Sequence, residues 1–219
     1  MARAILVNSR NANCATGSQG VEDARRCCRE LARRLGCADE HVLMASTGPI
    51  GAPLPTAKVI DHLDQLLLAS SPAGGMDFAR AIMTTDTHPK AATTGGDPTA
   101  EARVTGFAKG SGMIHPNMAT TLGVVCTDAV VAPSALQRLL HAACDTSFNA
   151  ISVDGDTSTN DALIALASGA TGCGVESPEA WRVFSAAVTE VLTTLARAVA
   201  ADQEATAVDN DVFVGNTQV

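Results

Sequence analysis

Aromatic residues and basic runs are scarce in this chain of 219 residues, which has no tyrosine, one tryptophan and five phenylalanines. It carries 15 Lys and Arg against 23 Asp and Glu, a net charge of −8. Few aromatic rings leave few platforms for stacking bases, and an acidic balance does not attract a phosphate backbone. Nucleic acid is therefore not expected as a partner.

Metal-binding and export signatures are also missing. The seven cysteines are odd in number and include no C-x-x-C pair, which argues against a zinc site or a disulfide framework. The chain turns polar at Asn8, too early for a signal peptide, and no run approaches the roughly 20 apolar residues of a membrane span. These absences predict a cytoplasmic protein with no metal and no membrane partner.

What the chain does have is apolar content, since 46% of its residues are hydrophobic and 17% are charged. This balance predicts a folded core with interleaved strands and helices. Apolar runs predict strands at residues 4–7, 41–45, 103–108, 120–127 and 151–153. Helical spacing predicts helices over 21–35, 58–68, 77–83 and 162–167, and from Pro133 and Ser177 onward.

Four polar clusters are interpreted as lying at strand ends, at residues 8–17, 46–51, 84–90 and 109–121. Any one of them is explained by an ordinary turn, because Ser, Thr, Asn and Gly favour turns. Their concentration in one chain favours a functional site. Phosphate-loop, dinucleotide-binding, calcium-loop and serine-hydrolase signatures are absent from the sequence.

Five segments, in the same order, resemble the ornithine acetyltransferase (glutamate N-acetyltransferase) family. They are residues 7–13 (VNSRNAN), 46–51 (STGPIG), 83–90 (MTTDTHPK), 109–120 (KGSGMIHPNMAT) and 153–161 (VDGDTSTND). The fourth is similar to the self-processing site of that family. The resemblance covers residues 3–206, and residues 207–219 do not resemble the continuation of the family.

The resemblance implies an α+β fold with a layered α/β/β/α architecture, incomplete at both termini. Family members cut themselves before a threonine, so the resemblance implies a break between Ala119 and Thr120. The products are residues 1–119, the alpha chain, and residues 120–219, the beta chain. We expect them to form one intertwined catalytic unit and a heterotetramer of two alpha and two beta chains.

The implied activity belongs to arginine biosynthesis: a ping-pong transfer of an acetyl group from N-acetylornithine to glutamate through an acetyl-threonine. Thr120 is the implied nucleophile. Its freed α-amine would serve as the base, because an α-amine has a pKa of about 7.7–8.0 and is partly neutral near pH 7. The hydroxyl of Thr47 and the backbone N–H of Gly48 are the implied donors to the oxyanion.

The implied substrate-binding residues are Thr84, Lys109, Thr120 and Glu204. Lys109 offers an ammonium to a substrate carboxylate, although without the resemblance it would be interpreted as a solvated lysine at the end of a strand. No cofactor is implied, and the use of acetyl-CoA as another acetyl donor is left open. The small-molecule substrates N-acetylornithine and glutamate are the expected partners.

Two alternatives stay open at this point. One is a truncated, catalytically incompetent member of the family that serves as a binding or assembly partner. The other is an N-acyl amino acid hydrolase, in which water and not glutamate takes the acetyl group from Thr120. The roles of Asp86 and Thr87, which lie in the third segment, are also open.

Overall fold

The computed structural model describes residues 2–94, 102–115 and 121–206, with side chains as far as Asp202. The chain forms two compact units, Met1–Thr84 and Thr85–Val219. Helices and two separate sheets are mixed along the chain. This mixture confirms the α+β class.

The first unit packs helices on a two-stranded parallel sheet. Its elements are β1 (Ala4–Asn8), α1 (Gly17–Leu35), β2 (Val42–Ser46), α2 (Thr56–Asp61), α3 (Leu63–Ala69) and α4 (Gly75–Ala81). The register runs from Ala4 opposite Val42 to Asn8 opposite Ser46. Leu6 and Val42 pack with Leu31 of α1 in one buried cluster. The parallel register brings the ends of β1 and β2 together, so the polar residues that follow each strand become neighbours.

The end of α1 follows the sequence prediction. Gly36 adopts a left-handed conformation with φ of 65°, and its N–H donates to the carbonyl of Ala32. A side chain is disfavoured at such a φ, which explains the choice of glycine. Arg33 and Arg34 lie in the last turn, where a positive charge complements the helix dipole.

The single helix predicted over residues 58–68 is wrong, because the chain forms α2 and α3 with a break at His62. In an unbroken α-helix the N–H of His62 would donate to the carbonyl of Lys58. Instead the His62 ring Nδ1 lies 2.8 Å from that carbonyl oxygen, and the His62 N–H donates to the carbonyl of Val59. A side chain thus replaces the backbone donor at this turn.

The second unit contains a four-stranded sheet in the order β3-β4-β5-β6. The strands are β3 (Lys90–Thr94), β4 (Val104–Lys109), β5 (Leu122–Thr127) and β6 (Ala162–Ala167). The first two pairs are antiparallel and β5 with β6 is parallel. The helix predicted over 162–167 is therefore wrong, because pairing with β5 overrides the helix propensity of its Ala and Leu residues. The strand predicted at 151–153 does not form, and β3 was missed.

Two helices, α5 (Pro133–Asp145) and α6 (Pro178–Thr206), pack on the sheet of the second unit. The predicted start of α6 is confirmed, since the Ser177 hydroxyl oxygen accepts from the N–H of Ala180. Residues 178–202 are long and apolar enough to cross a membrane, contrary to the expectation that no segment has this character. However, Val188, Leu192 and Val199 are at most 1% exposed and lie in the core of this unit. Their burial assigns α6 to the core.

Candidate active site

The predicted oxyanion donors lie directly after β2 in the first unit. Thr47 is 5% exposed. Its N–H donates to the carbonyl of Asn8, and its carbonyl accepts from the N–H of Asn11, both at 3.0 Å. The Asn11 side-chain amide in turn donates to the carbonyls of Ala52 and Pro53. The loop after β1 therefore holds the turn after β2 from both sides.

Gly48 occupies a position that only glycine fits. Its φ is 138°, and a Cβ there would lie 2.4 Å from the nitrogen of Asn11 and 2.5 Å from the carbonyl carbon of Arg10. The Thr47 hydroxyl and the Gly48 N–H make no hydrogen bond with any residue that the structure describes. Two adjacent donors on a fixed turn are suited to stabilise an oxyanion.

Lys109, at the end of β4, is not the solvated lysine that its position suggests. It is 1% exposed, and burial, helped by the nearby charge of Lys90, lowers the pKa of its ammonium, whereas the carboxylates of Asp86 and Asp161 oppose the decrease. A lysine out of contact with bulk water interacts more strongly with a carboxylate than a hydrated one. The geometry therefore suits binding of an anionic group.

Next to Lys109 in this unit, a second buried lysine forms an ion-pair network that the sequence analysis missed. Lys90 Nζ lies 2.8 Å from Asp86 Oδ1 and 2.5 Å from Asp202 Oδ2, and all three side chains are at most 1% exposed. Asp86 Oδ1 also accepts from the N–H of Gly110 at 2.7 Å. Asp86, whose role was open, thus links Lys90 to the residue after Lys109. The spacing of Asp86 and Lys90 within residues 83–90 was the sequence signal that could have predicted this ion pair.

Asp202 fastens α6 to the segment before β3. Its carboxylate accepts from Lys90, from the N–H of Thr87 at 3.1 Å, and from the Thr87 hydroxyl. Burial alone raises the pKa of Asp202, but the hydrogen bonds from Lys90 and Thr87 outweigh it and hold the pKa below its usual range. Thr87, the other residue whose role was open, therefore anchors the helix.

The sequence-predicted site residues are spread over both units. Thr47, Gly48 and the exposed Thr84 belong to the first, and Lys109 belongs to the second. Ala119 and Thr120 lie outside the described residues, as does the side chain of Glu204. In the ranges that the structure describes, no group of three or more His, Cys, Asp or Glu side chains could hold a metal ion.

The predicted cut lies between two paired strands of the second unit. β4 and β5 are antiparallel neighbours, with Val104 opposite Thr127 and Lys109 opposite Leu122. A cut between residues 119 and 120 leaves β4 on one piece and β5 on the other. The ladder of hydrogen bonds between these strands therefore favours continued association of the pieces.

A groove of about 660 Å³ lies elsewhere in the second unit, between the start of α6 and the loop before it. Phe184, Ala187 and Val175 are among its lining residues. None of the predicted site residues lines this groove, so its position provides no support for the site.

Comparison with known proteins gives consistent matches. The ArgJ family model matches residues 1–218, and so extends past residue 206, where the resemblance was expected to end. The chain is 48% identical over 208 residues to the arginine biosynthesis bifunctional protein ArgJ of Symbiobacterium thermophilum, covering 92% of this chain and 51% of that protein. It is 47% identical over 205 residues to the protein of the same name from Geobacter sulfurreducens, covering 92% and 52%. The chain therefore spans about half the length of these curated relatives.

Two solved structures are also similar. One is ornithine acetyltransferase complexed with ornithine from Mycobacterium tuberculosis, 32% identical with a TM-score of 0.48, covering 52% of this chain and 62% of that one. The other is the arginine biosynthesis bifunctional protein of Bacillus halodurans, 31% identical with a TM-score of 0.41, covering 52% and 61%.

Proposed function

This chain belongs to the ArgJ family, and from that premise we propose that it transfers an acetyl group from N-acetylornithine to glutamate in arginine biosynthesis. The observation that carries the proposal is the turn at Thr47 and Gly48. There, two donors without a partner among the described residues lie side by side, on a backbone that excludes any side chain at Gly48. Such a turn matches the need of acyl transfer for an oxyanion site.

The reaction begins with the cut before Thr120. Hydrolysis of the peptide bond consumes one water and yields a carboxylate on Ala119 and a free amine on Thr120. An amide nitrogen is not basic, whereas the freed amine is partly neutral near pH 7 and can accept the proton of the Thr120 hydroxyl. The cut thus creates the base that activates the nucleophile.

Transfer then takes place in two half-reactions. The Thr120 oxygen attacks the acetyl carbonyl, the bond from carbon to the ornithine nitrogen breaks, and the proton held by the amine goes to that nitrogen. The glutamate amine attacks the carbonyl of the resulting ester, the bond from that carbon to the Thr120 oxygen breaks, and the proton lost by the glutamate nitrogen passes through the α-amine to the Thr120 oxygen. In both steps negative charge develops on the acetyl oxygen, where Thr47 and Gly48 donate.

Charged residues bind the rest of the substrate in this proposal. Lys109, buried at the end of β4, binds a substrate carboxylate, and Thr84 contributes a hydroxyl. Glu204, two residues after the anchored Asp202, supplies a carboxylate whose charge suits an ornithine ammonium. The two pieces stay together and assemble as a heterotetramer in the cytoplasm, and no cofactor is required.

Dependence on glutamate distinguishes transfer from hydrolysis. We expect the purified chain to release ornithine from N-acetylornithine only when glutamate is present, and to form one N-acetylglutamate for each ornithine released. Chromatography of the two amino acids measures both products. Release at an equal rate without glutamate would identify a hydrolase. No release under either condition would favour a binding or assembly role. Acetyl-CoA in place of N-acetylornithine tests the other donor in the same assay.

Removing the Thr47 hydroxyl tests the oxyanion site. Thr47→Ala is expected to lower kcat by about 10²–10³-fold, the usual cost of one oxyanion donor, with a small change in KM because the donor acts mainly in the transition state. Thr47→Ser keeps a hydroxyl and is the matched control, expected to retain most activity. Steady-state kinetics on both variants decide the point, and an unchanged kcat in Thr47→Ala would remove Thr47 from the mechanism.

A further inference from the structure

The polar turn between Val153 and Ala162 contacts the chain on both sides of the proposed cut. On the N-terminal side of the cut, Asp154 accepts from two successive N–H groups. Its Oδ2 lies 2.6 Å from the nitrogen of Met113, and its Oδ1 lies 2.9 Å from the nitrogen of Ile114. The carbonyl of Ile114 accepts from the N–H of Val153 at 2.9 Å. Ile114 is itself 1% exposed, and both its backbone groups are held by the adjacent residues Val153 and Asp154.

On the C-terminal side of the cut, the same turn holds Thr121. The N–H of Thr121 donates to Asp161 Oδ1 at 2.6 Å, and its carbonyl accepts from the N–H of Ala162 at 3.0 Å. Thr121 is 2% exposed. The parallel pairing of Leu122 with Ala162 continues this contact directly into the sheet.

We propose that Asp154 and Asp161 are positioning residues for self-cleavage, an inference that rests on the proposed function. The two carboxylates hold Ile114 and Thr121, which stand immediately before and after residues 115–120. They thereby fix the distance that this segment must span. A carboxylate forms stronger hydrogen bonds to an N–H than a neutral acceptor does. Neither aspartate is proposed to touch the reacting atoms.

Positioning of this kind has a large effect on rate. A peptide bond is cut within the chain only when the attacking group and the carbonyl are held at near-attack distance, and a misplacement of about 1 Å can cost about 10²-fold. Fixed ends also lower the entropy that the intervening residues lose when they reach that geometry. Both anchors come from one short turn, so the distance between them is set by the turn itself.

Replacement by asparagine is expected to affect the hydrogen bonds of the two aspartates differently. Asp154 uses both oxygens, so Asp154→Asn loses one acceptor and must break one bond. The Thr121 N–H donates to Asp161 Oδ1, so Asp161→Asn can keep this hydrogen bond as a weaker neutral one, whereas Asp161→Ala removes it. A graded response, with Asn at position 161 milder than Ala, is therefore expected from anchoring.

The test is a time course of cutting in the freshly synthesised full-length chain, followed on a denaturing gel. We expect Asp154→Asn and Asp161→Ala to slow the appearance of the two pieces by at least about tenfold, and Asp161→Asn to be intermediate. Asp156→Asn is the matched control, because Asp156 lies in the same turn and its side chain is exposed; it should cut at the wild-type rate. Asp154→Asn material that has been cut should transfer acetyl groups with a kcat near that of the wild type, which a general structural defect would not allow.

The outcomes separate this inference from the proposed function. If the wild-type chain is cut and the anchor variants are cut equally fast, the inference is overturned while the function stands. If the wild-type chain stays intact, both fail. As a measurement independent of variant folding, amide exchange in the uncut Thr120→Ala chain should show slow exchange at Ile114 and Thr121. Rapid exchange at either would also overturn the inference.

Discussion

The Thr120→Ala chain should remain a single band of 219 residues, whereas the wild-type chain should separate into pieces of 119 and 100 residues. Alanine lacks the hydroxyl that, in the proposed mechanism, cuts the chain and carries the acetyl group, so acetyl transfer should also fall, by about 10⁴–10⁶-fold as for other lost nucleophiles. A denaturing gel with N-terminal sequencing measures the first effect, and ornithine release measures the second. The smaller wild-type piece should begin with Thr120.

Thr120→Ser is the matched control for this prediction. Serine keeps a hydroxyl and, after the cut, a free α-amine, so it should be cut and should transfer acetyl groups at a reduced rate. Retention of transfer in Thr120→Ala would assign the nucleophile to another residue. Cutting without transfer in the wild type would instead separate the two roles of the threonine and favour the non-catalytic alternative.

Local signals in the sequence predicted the ends of two helices correctly. Gly36 ends α1 and Ser177 begins α6, because the conformation or hydrogen bond required at each point involves residues within one turn. Residues 162–167 were assigned wrongly for the complementary reason. Their strand conformation is fixed by pairing with β5, some 40 residues earlier in the chain, and no local signal carries that information.

The same difference between local signals and tertiary contacts applies to the candidate site. The family resemblance predicted Thr47 and Gly48 as site residues, but the close approach of Asn11 that requires a glycine at position 48 appears only when β1 and β2 are paired. Lys90 and Asp202 are 112 residues apart, and their ion pair depends on α6 packing against the sheet. The burial of Lys109 is likewise a tertiary property. Sequence motifs thus supplied the candidate residues, whereas their burial and hydrogen-bond partners required the fold.

The buried network around Lys90 supports the second large prediction. Lys90→Met leaves the carboxylates of Asp86 and Asp202 buried without their cation, and removing one partner of a buried ion pair typically costs about 3–5 kcal/mol. We expect a loss of this size in the free energy of unfolding at pH 7, measured with urea at an unchanged m-value. Lys58→Met is the matched control, since Lys58 is exposed on α2, and should change stability by less than about 0.5 kcal/mol.

The pH dependence of the free energy of unfolding distinguishes unpaired buried charge from lost packing as the cause of the defect in Lys90→Met. In the wild type the pKa of Asp202 is lowered by folding, so its carboxylate contributes stability above its ordinary pKa of about 3.9, and this contribution is lost as the pH falls through the lower folded-state value. In Lys90→Met the buried carboxylates favour the protonated form, so their pKa rises and acid should reduce the defect. The stability difference between the two chains should therefore shrink from pH 7 towards pH 4. A difference that stayed constant over this range would show that lost packing of the lysine stem, and not unpaired charge, destabilises the variant.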